Sequence, residues 1–120
     1  MTIYHITQHE AWNQAKSTGE YRGDTLETDG FIHCSTARQV VAVANSYYSG
    51  QHGLALLCID AQKLRAELRY EAPAGPTIED ENLFPHIYGP LNVDAVIAVR
   101  DLEPGSDSSF TLPEGISGLP

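Results

Sequence analysis

The order of hydrophobic and polar residues predicts a chain of short strands with few helices. Five short segments that contain apolar, β-branched or aromatic residues are predicted to be strands: residues 2–6 (TIYHI), 31–35 (FIHCS), 54–60 (LALLCID), 68–73 (LRYEAP) and 94–102 (DAVIAVRDL). The segment 54–60 is apolar on both faces, which is typical of a covered central strand. Pro85 and Pro90 constrain residues 84–92 (FPHIYGPLN), which predicts a turn or an edge segment.

The first helix is predicted from the residues at its two ends. Thr7 and Glu10 have the spacing of a capping box, in which two side chains satisfy free backbone amides at a helix start. The helix behind them places Trp12 and Ala15 on its inner face. Gly19 suits the left-handed position that follows a helix end, so we expect the helix to stop there.

The second helix follows the strand at residues 31–35. Thr36 and Gln39 form a second capping box, and Gly50 is expected to end the helix. One helical face holds four regularly spaced residues: Val40, Val43, Ala44 and Tyr47. The polar segments 20–29 and 74–83 are predicted to be loops.

Strands that cluster late in the chain, together with two main helices, predict an α+β fold. The connections between the late strands are too short for helical crossovers, so we expect a small split sheet that is mixed or antiparallel. A length of 120 residues with 42% hydrophobic residues suits one domain. We place that domain at residues 1–113 and expect residues 114–120 to form a flexible tail.

The net charge limits which classes of partner the chain can bind, and the cysteine content indicates the cellular compartment. The formal net charge of −9 opposes non-specific binding to nucleic acids and to anionic membranes. The apolar runs are too short to span a bilayer, and the N-terminal residues do not have the pattern of a signal peptide. Cys34 and Cys58 lie in apolar strands and are expected to be free thiols, which suits a cytoplasmic protein.

Two of the predicted strands carry a histidine followed by a hydroxyl residue on the same face. His5 and Thr7 share a face, as do His33 and Ser35, because side chains alternate along a strand. Thr36 then begins a helix, whose first amide groups and positive dipole end can bind an anion. We predict that these five residues bind a small anionic molecule or nucleotide. Alternatively, Ser35 and Thr36 only cap the helix, and His33 is a half-buried strand residue.

The segment FPHIYGPLN adds candidates for chemistry. His86 and Tyr88 share a face of a stiffened backbone, and we predict that both also bind the ligand. A tight turn whose Tyr88 packs on the core would explain the pattern equally well. Glu71 is a candidate carboxylate near a strand end, and an exposed strand position is the favoured alternative. If the chain is an enzyme, we predict His33, His86 and Glu71 as catalytic residues. No metal is predicted, because the histidines have no HxH or HxxxH spacing.

Three segments, YHIT, GFIHCST and FPHIYGPLN, resemble the uncharacterised bacterial family known as domain of unknown function 952. That family is grouped with the ADP-ribosyltransferase-like fold, which includes NAD-dependent toxins, poly-ADP-ribose polymerases and RNA 2′-phosphotransferases. The resemblance implies a split β-sheet with a cleft for NAD or an ADP-ribosylated intermediate. NAD is therefore the candidate cofactor.

The resemblance also implies roles for single residues. His5 matches the histidine that contacts the nucleotide ribose, while His33, Ser35 and Thr36 match the strand that lines the nicotinamide side. The third motif of the superfamily supplies a catalytic glutamate. FPHIYGPLN contains none, so Glu71 is a distant candidate.

Three functions stay open from the sequence. The first is an ADP-ribosyl- or 2′-phosphotransferase-like enzyme that acts on NAD or an ADP-ribosylated species. The second is a non-catalytic binding or interaction module that kept the fold, which the missing glutamate favours. The third is a histidine-based hydrolase, with or without a metal ion.

Overall fold

Strands and helices were located for residues 1–72 and 83–113 of a computed structural model. The strands are β1 (Thr2–Gln8), β2 (Glu20–Tyr21), β3 (Ile32–His33), β4 (Leu54–Asp60), β5 (Glu67–Glu71), β6 (Phe84–Tyr88), β7 (Leu91–Asn92) and β8 (Val96–Leu102). The helices are α1 (His9–Thr18), α2 (Thr25–Asp29) and α3 (Val40–Tyr47). All strand pairs in the described part of the chain are antiparallel, so the α+β prediction is confirmed in its antiparallel form.

The strand β4 lies at the centre of the sheet β1-β4-β8, as its apolar sequence predicted. Every residue from Leu54 to Ile59 is buried. The two faces of β4 contribute to two hydrophobic clusters, because Leu57 packs in one with Ile3 while Leu56 packs in the other with Phe110. Burial on both faces is the reason why a continuous apolar run is stable here.

The segment around His86 is the central strand of a second sheet, β3-β6-β5, and not the turn or edge that its prolines predicted. Pro85 is tolerated because its carbonyl accepts the Cys34 N–H at 3.0 Å, while its ring nitrogen has no hydrogen to return to Cys34. The β3–β6 pairing accordingly stops at His33. Ser35, freed from β6, exchanges two backbone hydrogen bonds with Tyr4 of β1, at 2.8 and 2.7 Å. The proline thus marks where the two sheets separate.

The first predicted capping box does not form. The pairing of β1 with β4 continues to Gln8, so Thr7 stays in the strand, and α1 starts at His9 without a side-chain cap. The rest of the α1 prediction is confirmed, since Trp12 and Ala15 are buried and Gly19 follows the helix in the left-handed conformation, with φ of 88°.

Only one of the two hydrogen bonds of the second predicted capping box forms. The Thr36 N–H donates to the Gln39 side chain at 2.9 Å, but α3 itself begins only at Val40, after a turn. Val40 and Ala44 are buried as predicted, whereas Tyr47 is 74% exposed, so its assignment to the inner face was wrong. Val40 and Ala44, one turn apart, are the buried residues of α3.

The segment 20–29 is more ordered than the predicted loop. It contains β2, which pairs with β7, and the short helix α2. Both were missed because two-residue and five-residue elements carry no recognisable periodicity. The predicted loop 74–83, apart from residue 83, and the predicted tail 114–120 lie outside the described residues. Within the described residues, no helix is long and apolar enough to cross a bilayer.

Candidate functional site

A cleft of about 670 Å³ opens where the sheets β1-β4-β8 and β3-β6-β5 separate. Small-molecule sites commonly fall between about 300 and 1,000 Å³. Five residues predicted to bind a ligand line this cleft: His5, Thr7, His33, Ser35 and His86. Its remaining lining includes five aromatic residues: Tyr4, Tyr21, Tyr47, Tyr48 and Phe84. The predicted residues Thr36, Tyr88 and Glu71 do not belong to the lining.

His5 is held by protein groups at both ring nitrogens. Nδ1 bonds the His33 carbonyl, and Nε2 lies 2.8 Å from the Tyr21 hydroxyl, which is itself 2.9 Å from the Thr7 hydroxyl. A carbonyl only accepts, so Nδ1 carries a hydrogen. Burial lowers the pKa of His5 to about 4, so the ring is neutral and Nε2 has no hydrogen.

The order of donors in this network follows from the neutral His5 ring. Tyr21 donates to His5 Nε2, and Thr7 donates to Tyr21. Burial raises the pKa of Tyr21 to about 12, which keeps its hydroxyl protonated. The network links β1, β2 and β3. A ligand that contacts His5, as the resemblance implies, would first have to displace the Tyr21 hydroxyl.

His33 and His86 face each other across paired positions of β3 and β6, with ring centroids 5.3 Å apart. Phe31 stacks on His86 at 4.1 Å. His33 Nε2 lies 2.9 Å from Asp29 at the end of α2, so the short helix supplies this histidine with a carboxylate partner. His33 is part of the accessible wall of the cleft, because its side chain is 39% exposed.

His86 is 2% exposed and has a carboxylate partner of its own. Its Nδ1 lies 2.8 Å from Glu71 Oε1, the same oxygen to which the Tyr88 hydroxyl donates at 2.5 Å. These hydrogen bonds, from Tyr88 and then from His86, lower the pKa of Glu71 below its usual value. Arg69 lies 4.3 Å above the Tyr88 ring. Glu71 is therefore a half-buried, ionised partner of His86, not the exposed strand residue that was the favoured alternative.

Ser35 and Thr36 have different surroundings. Ser35 is 5% exposed, and its hydroxyl forms no hydrogen bond with any described residue although it lines the cleft. It does not cap α3. The Thr36 amide is already bonded to Gln39, and α3 starts four residues later, so a free helix start at Thr36 is not present.

The charge of the cleft differs from what an anion requires. In the described part of the chain, its lining contains Asp24 but neither lysine nor arginine. His5 is neutral, so it adds no positive charge at physiological pH. An uncharged ring or a hydroxyl group suits the interior better than a phosphate does.

Sequence reasoning missed Tyr21, Asp24, Asp29 and Phe31. Tyr21 and Asp24 lie in the segment assigned to a loop, and the hydrogen bonds of Tyr21 are to His5 and Thr7 of β1, which no local pattern reveals. Asp29 precedes His33 by four residues. That spacing brings the two side chains together only because a helix end lies between them. Phe31 lies two residues before His33, but its stacking on His86 depends on the β3–β6 register.

The three histidines of the cleft do not form an evident metal site. Among residues 1–72 and 83–113, no three His, Cys, Asp or Glu side chains are placed to hold a metal ion together. His5 already uses both nitrogens, and His33 and His86 each use one for a carboxylate.

We expect Cys34 and Cys58 to stay reduced and unreactive in the native protein. Both are buried free thiols, and burial raises the pKa of each, so neither forms the reactive thiolate easily. Ellman's reagent should label both thiols only after unfolding in urea. Intact mass measured without reductant should match the mass measured with it. A mass lower by two hydrogens would reveal a disulfide and contradict the prediction.

The sequence matches the family described as a protein of unknown function (DUF952) over residues 6–99. The chain belongs to this family. The DUF952 match includes every predicted site residue except His5, and the family part of the resemblance is confirmed. No functionally curated protein matches the sequence.

Solved structures of protein CC0527 from Caulobacter crescentus are similar to this DUF952 chain. The crystal structure is 34% identical in sequence, has a TM-score of 0.81 and covers 92% of this chain and 94% of that chain. The solution NMR structure is 35% identical, with a TM-score of 0.76, and covers 90% of each chain. The fold described above is therefore that of a solved bacterial protein.

Proposed function

We propose that the chain binds a small molecule that contains a nucleoside, such as a nucleotide, NAD or ADP-ribose, in the cleft between the two sheets. The observation that carries this proposal is the Ser35 hydroxyl, which lines the cleft, is reachable from it, and has no hydrogen-bond partner among the described residues. A hydroxyl that faces a cleft in this way can exchange its water for a hydrogen bond to a ligand. The surrounding tyrosine and phenylalanine rings suit the flat face of a base.

Charge determines how such a ligand would be oriented. Asp24 faces the cleft and no lysine or arginine does so among the described residues, so the uncharged nucleoside belongs inside. Phosphate groups belong at the mouth, where water screens them from Asp24 and from the net charge of −9. This arrangement replaces the expectation of an anion seated on a free helix start at Thr36.

An ADP-ribosyltransferase-like fold, with transfer of ADP-ribose or a 2′-phosphate, is the more specific form of this proposal. The antiparallel sheets that separate at Pro85 and enclose a cleft support it. The Glu71 carboxylate also supports it, because hydrogen bonds tie it to His86 and Tyr88 of FPHIYGPLN, the segment that lacks a glutamate of its own. His5 argues against transfer of ADP-ribose or a 2′-phosphate, because protein groups already bond both of its ring nitrogens.

The test is calorimetric titration of adenosine, NAD, ADP-ribose and a simple phosphate ester into the full-length chain. We expect at least one nucleoside-containing ligand to bind more tightly than about 1 mM, and the simple ester not to do so. Ser35→Ala should weaken that binding by about 3- to 10-fold, since one hydrogen bond contributes about 0.5–1.5 kcal/mol. Ser46→Ala, an exposed serine of α3, is the matched control and should leave affinity unchanged.

His33→Ala tests the opposite wall of the cleft. His52→Ala is its control, because His52 also pairs with a carboxylate, Glu103, at 2.9 Å but lies outside the cleft lining. Reduced affinity in His33→Ala alone would support a site at this cleft. If no ligand binds below the millimolar range, or if neither Ser35→Ala nor His33→Ala changes affinity, the proposed binding site is wrong.

A further inference from the structure

The wall of the cleft formed by β3, β6 and β5 carries a carboxylate–imidazole pair that ligand binding alone does not require. Glu71 accepts the hydrogen of His86 Nδ1 at 2.8 Å, and Tyr88 fixes the same carboxylate oxygen from the other side. Since Nδ1 carries the hydrogen, Nε2 of the neutral ring is the basic nitrogen. His86 lines the cleft, and its Nε2 has no hydrogen-bond partner among the described residues.

Packing holds the His86 ring in one orientation. Phe31 stacks on it at 4.1 Å with ring planes 20° apart, and the strand backbone of β6 that carries it is buried. A ring fixed by stacking on one face and by a carboxylate at Nδ1 presents Nε2 in a single direction. A base that is fixed in this manner loses little entropy when it takes a proton.

Ser35 lines the same cleft as this base. The pairing of β3 with β6 ends at His33 and His86, and Ser35 then turns toward β1, where it bonds to the Tyr4 backbone. Ser35 and His86 both line the cleft, which leaves room for a small reacting group between them. The Ser35 hydroxyl, without a partner among the described residues, is free to donate a hydrogen bond.

Ser35 is better suited to stabilise charge than to attack. A serine nucleophile needs backbone amides nearby to hold the oxyanion that forms. The Ser35 amide donates to Tyr4, and the Thr36 amide donates to Gln39, so both amides are occupied. The hydroxyl itself is the available donor on this wall.

We propose that Glu71, His86 and Ser35 form a hydrolytic site for an uncharged carboxylic ester, in which His86 is the general base and Ser35 is the oxyanion donor. An ester is favoured over a phosphate ester because the cleft lining contains Asp24 and no lysine or arginine among the described residues. The activity extends the proposed binding of a nucleoside-containing ligand at the same cleft, and it requires no cofactor.

The reaction balances with water as the second substrate. A water oxygen bonds to the ester carbonyl carbon while its proton passes to His86 Nε2, and the carbonyl electron pair moves to the oxygen that Ser35 stabilises. When this intermediate collapses, the bond from carbon to the alcohol oxygen breaks. His86 then returns the proton to that oxygen, and the products are a carboxylic acid and an alcohol.

Glu71 has a positioning role, because it contacts His86 and not the reacting atoms. Its negative charge stabilises the imidazolium that forms when His86 takes the proton. The other groups that face His86 are the His33 ring at 5.3 Å, Tyr88 through Glu71, and Arg69, which is paired with His86 across β5 and β6. Replacing Glu71 with glutamine keeps the shape and removes only the charge.

The test is hydrolysis of p-nitrophenyl acetate, a neutral aromatic ester, by the full-length chain. The urea-unfolded chain serves as reference, since free histidines also catalyse this reaction. The native chain should exceed that reference. His86→Gln and Ser35→Ala should each lower the excess rate by about 100-fold. Glu71→Gln should lower it by more than about 10-fold and displace the pH profile toward lower pH, because the imidazolium loses its stabilising charge. His52→Ala should have no effect.

Several results would overturn the hydrolytic site. The proposal is wrong if the native chain hydrolyses the ester no faster than the unfolded chain. It is also wrong if folded His86→Gln hydrolyses the ester at the wild-type rate. If His86→Gln fails to fold, an unchanged rate and pH profile in folded Glu71→Gln has the same consequence. Calorimetry on the same samples separates this failure from that of the binding site, because a nucleoside can bind without any ester being cleaved.

Discussion

Replacing Leu57 with alanine should lower the free energy of unfolding by about 2–5 kcal/mol. Leu57 has no exposed surface and lies in β4 between its partners His5 on β1 and Val99 on β8. Its side chain packs with Ile3 and Trp12 in one of the two hydrophobic clusters. Truncation removes buried methyl groups and leaves a cavity, because strands bonded on both edges cannot close the gap.

Urea unfolding followed by circular dichroism measures this loss of stability. Ile97→Ala is the matched control, because Ile97 is also an aliphatic strand residue but is 52% exposed on β8. We expect the control to cost less than about 1 kcal/mol. If Leu57→Ala costs no more than Ile97→Ala, β4 is not the covered centre of the fold.

The second large effect is a dependence of stability on pH that originates at His5. Its pKa in the folded protein is about 4, while an unfolded histidine titrates near about 6.5. Above about pH 6.5 both states are neutral at His5. As the pH falls from there toward 4, the unfolded state takes up a proton that the folded state does not, so stability is lost across this window.

Between pH 7.5 and pH 5 this loss should reach about 2 kcal/mol. The variant His5→Gln should be less stable than wild type at pH 7.5, since it cannot reproduce both ring hydrogen bonds, but its stability should fall less on acidification. His52→Gln should retain the full dependence of wild type, because His52 is an exposed histidine outside the network. Equal pH dependence in wild type and His5→Gln would contradict a neutral, buried His5.

The sequence predicts the covered strand β4 but not the buried hydrogen-bond network at His5. The continuous apolar run from Leu54 to Ile59 predicts a covered strand because backbone amides in an apolar setting must pair on both edges. The left-handed Gly19 likewise marks the end of α1, because a residue without Cβ adopts that conformation at no steric cost. Interactions between residues that are close in the chain decide both features, so a short stretch of sequence is enough to predict them.

Candidate residues of the site were recognisable, but their roles were not. His5, His33 and Ser35 were selected by side-chain alternation, and the structure brings all three to one cleft. Alternation could not reveal that Tyr21 and the His33 carbonyl occupy both nitrogens of His5. It also could not show that Ser35 leaves its helix uncapped and its hydroxyl unbonded.

The sequence alone therefore determined that five short segments become strands (β1, β3, β4, β5 and β8), where α1 ends and which histidines are candidates. Hydrophobic periodicity and a glycine at a helix end act over a few residues, which is why a short stretch of sequence predicts them. Only the tertiary structure decided that FPHIYGPLN is a central strand, since that depends on pairing with β3, from 53–55 residues away, and with β5, from 13–21 residues away. The same pairing joins Glu71 to His86. Contacts of this kind depend on strand register, which sequence spacing does not encode.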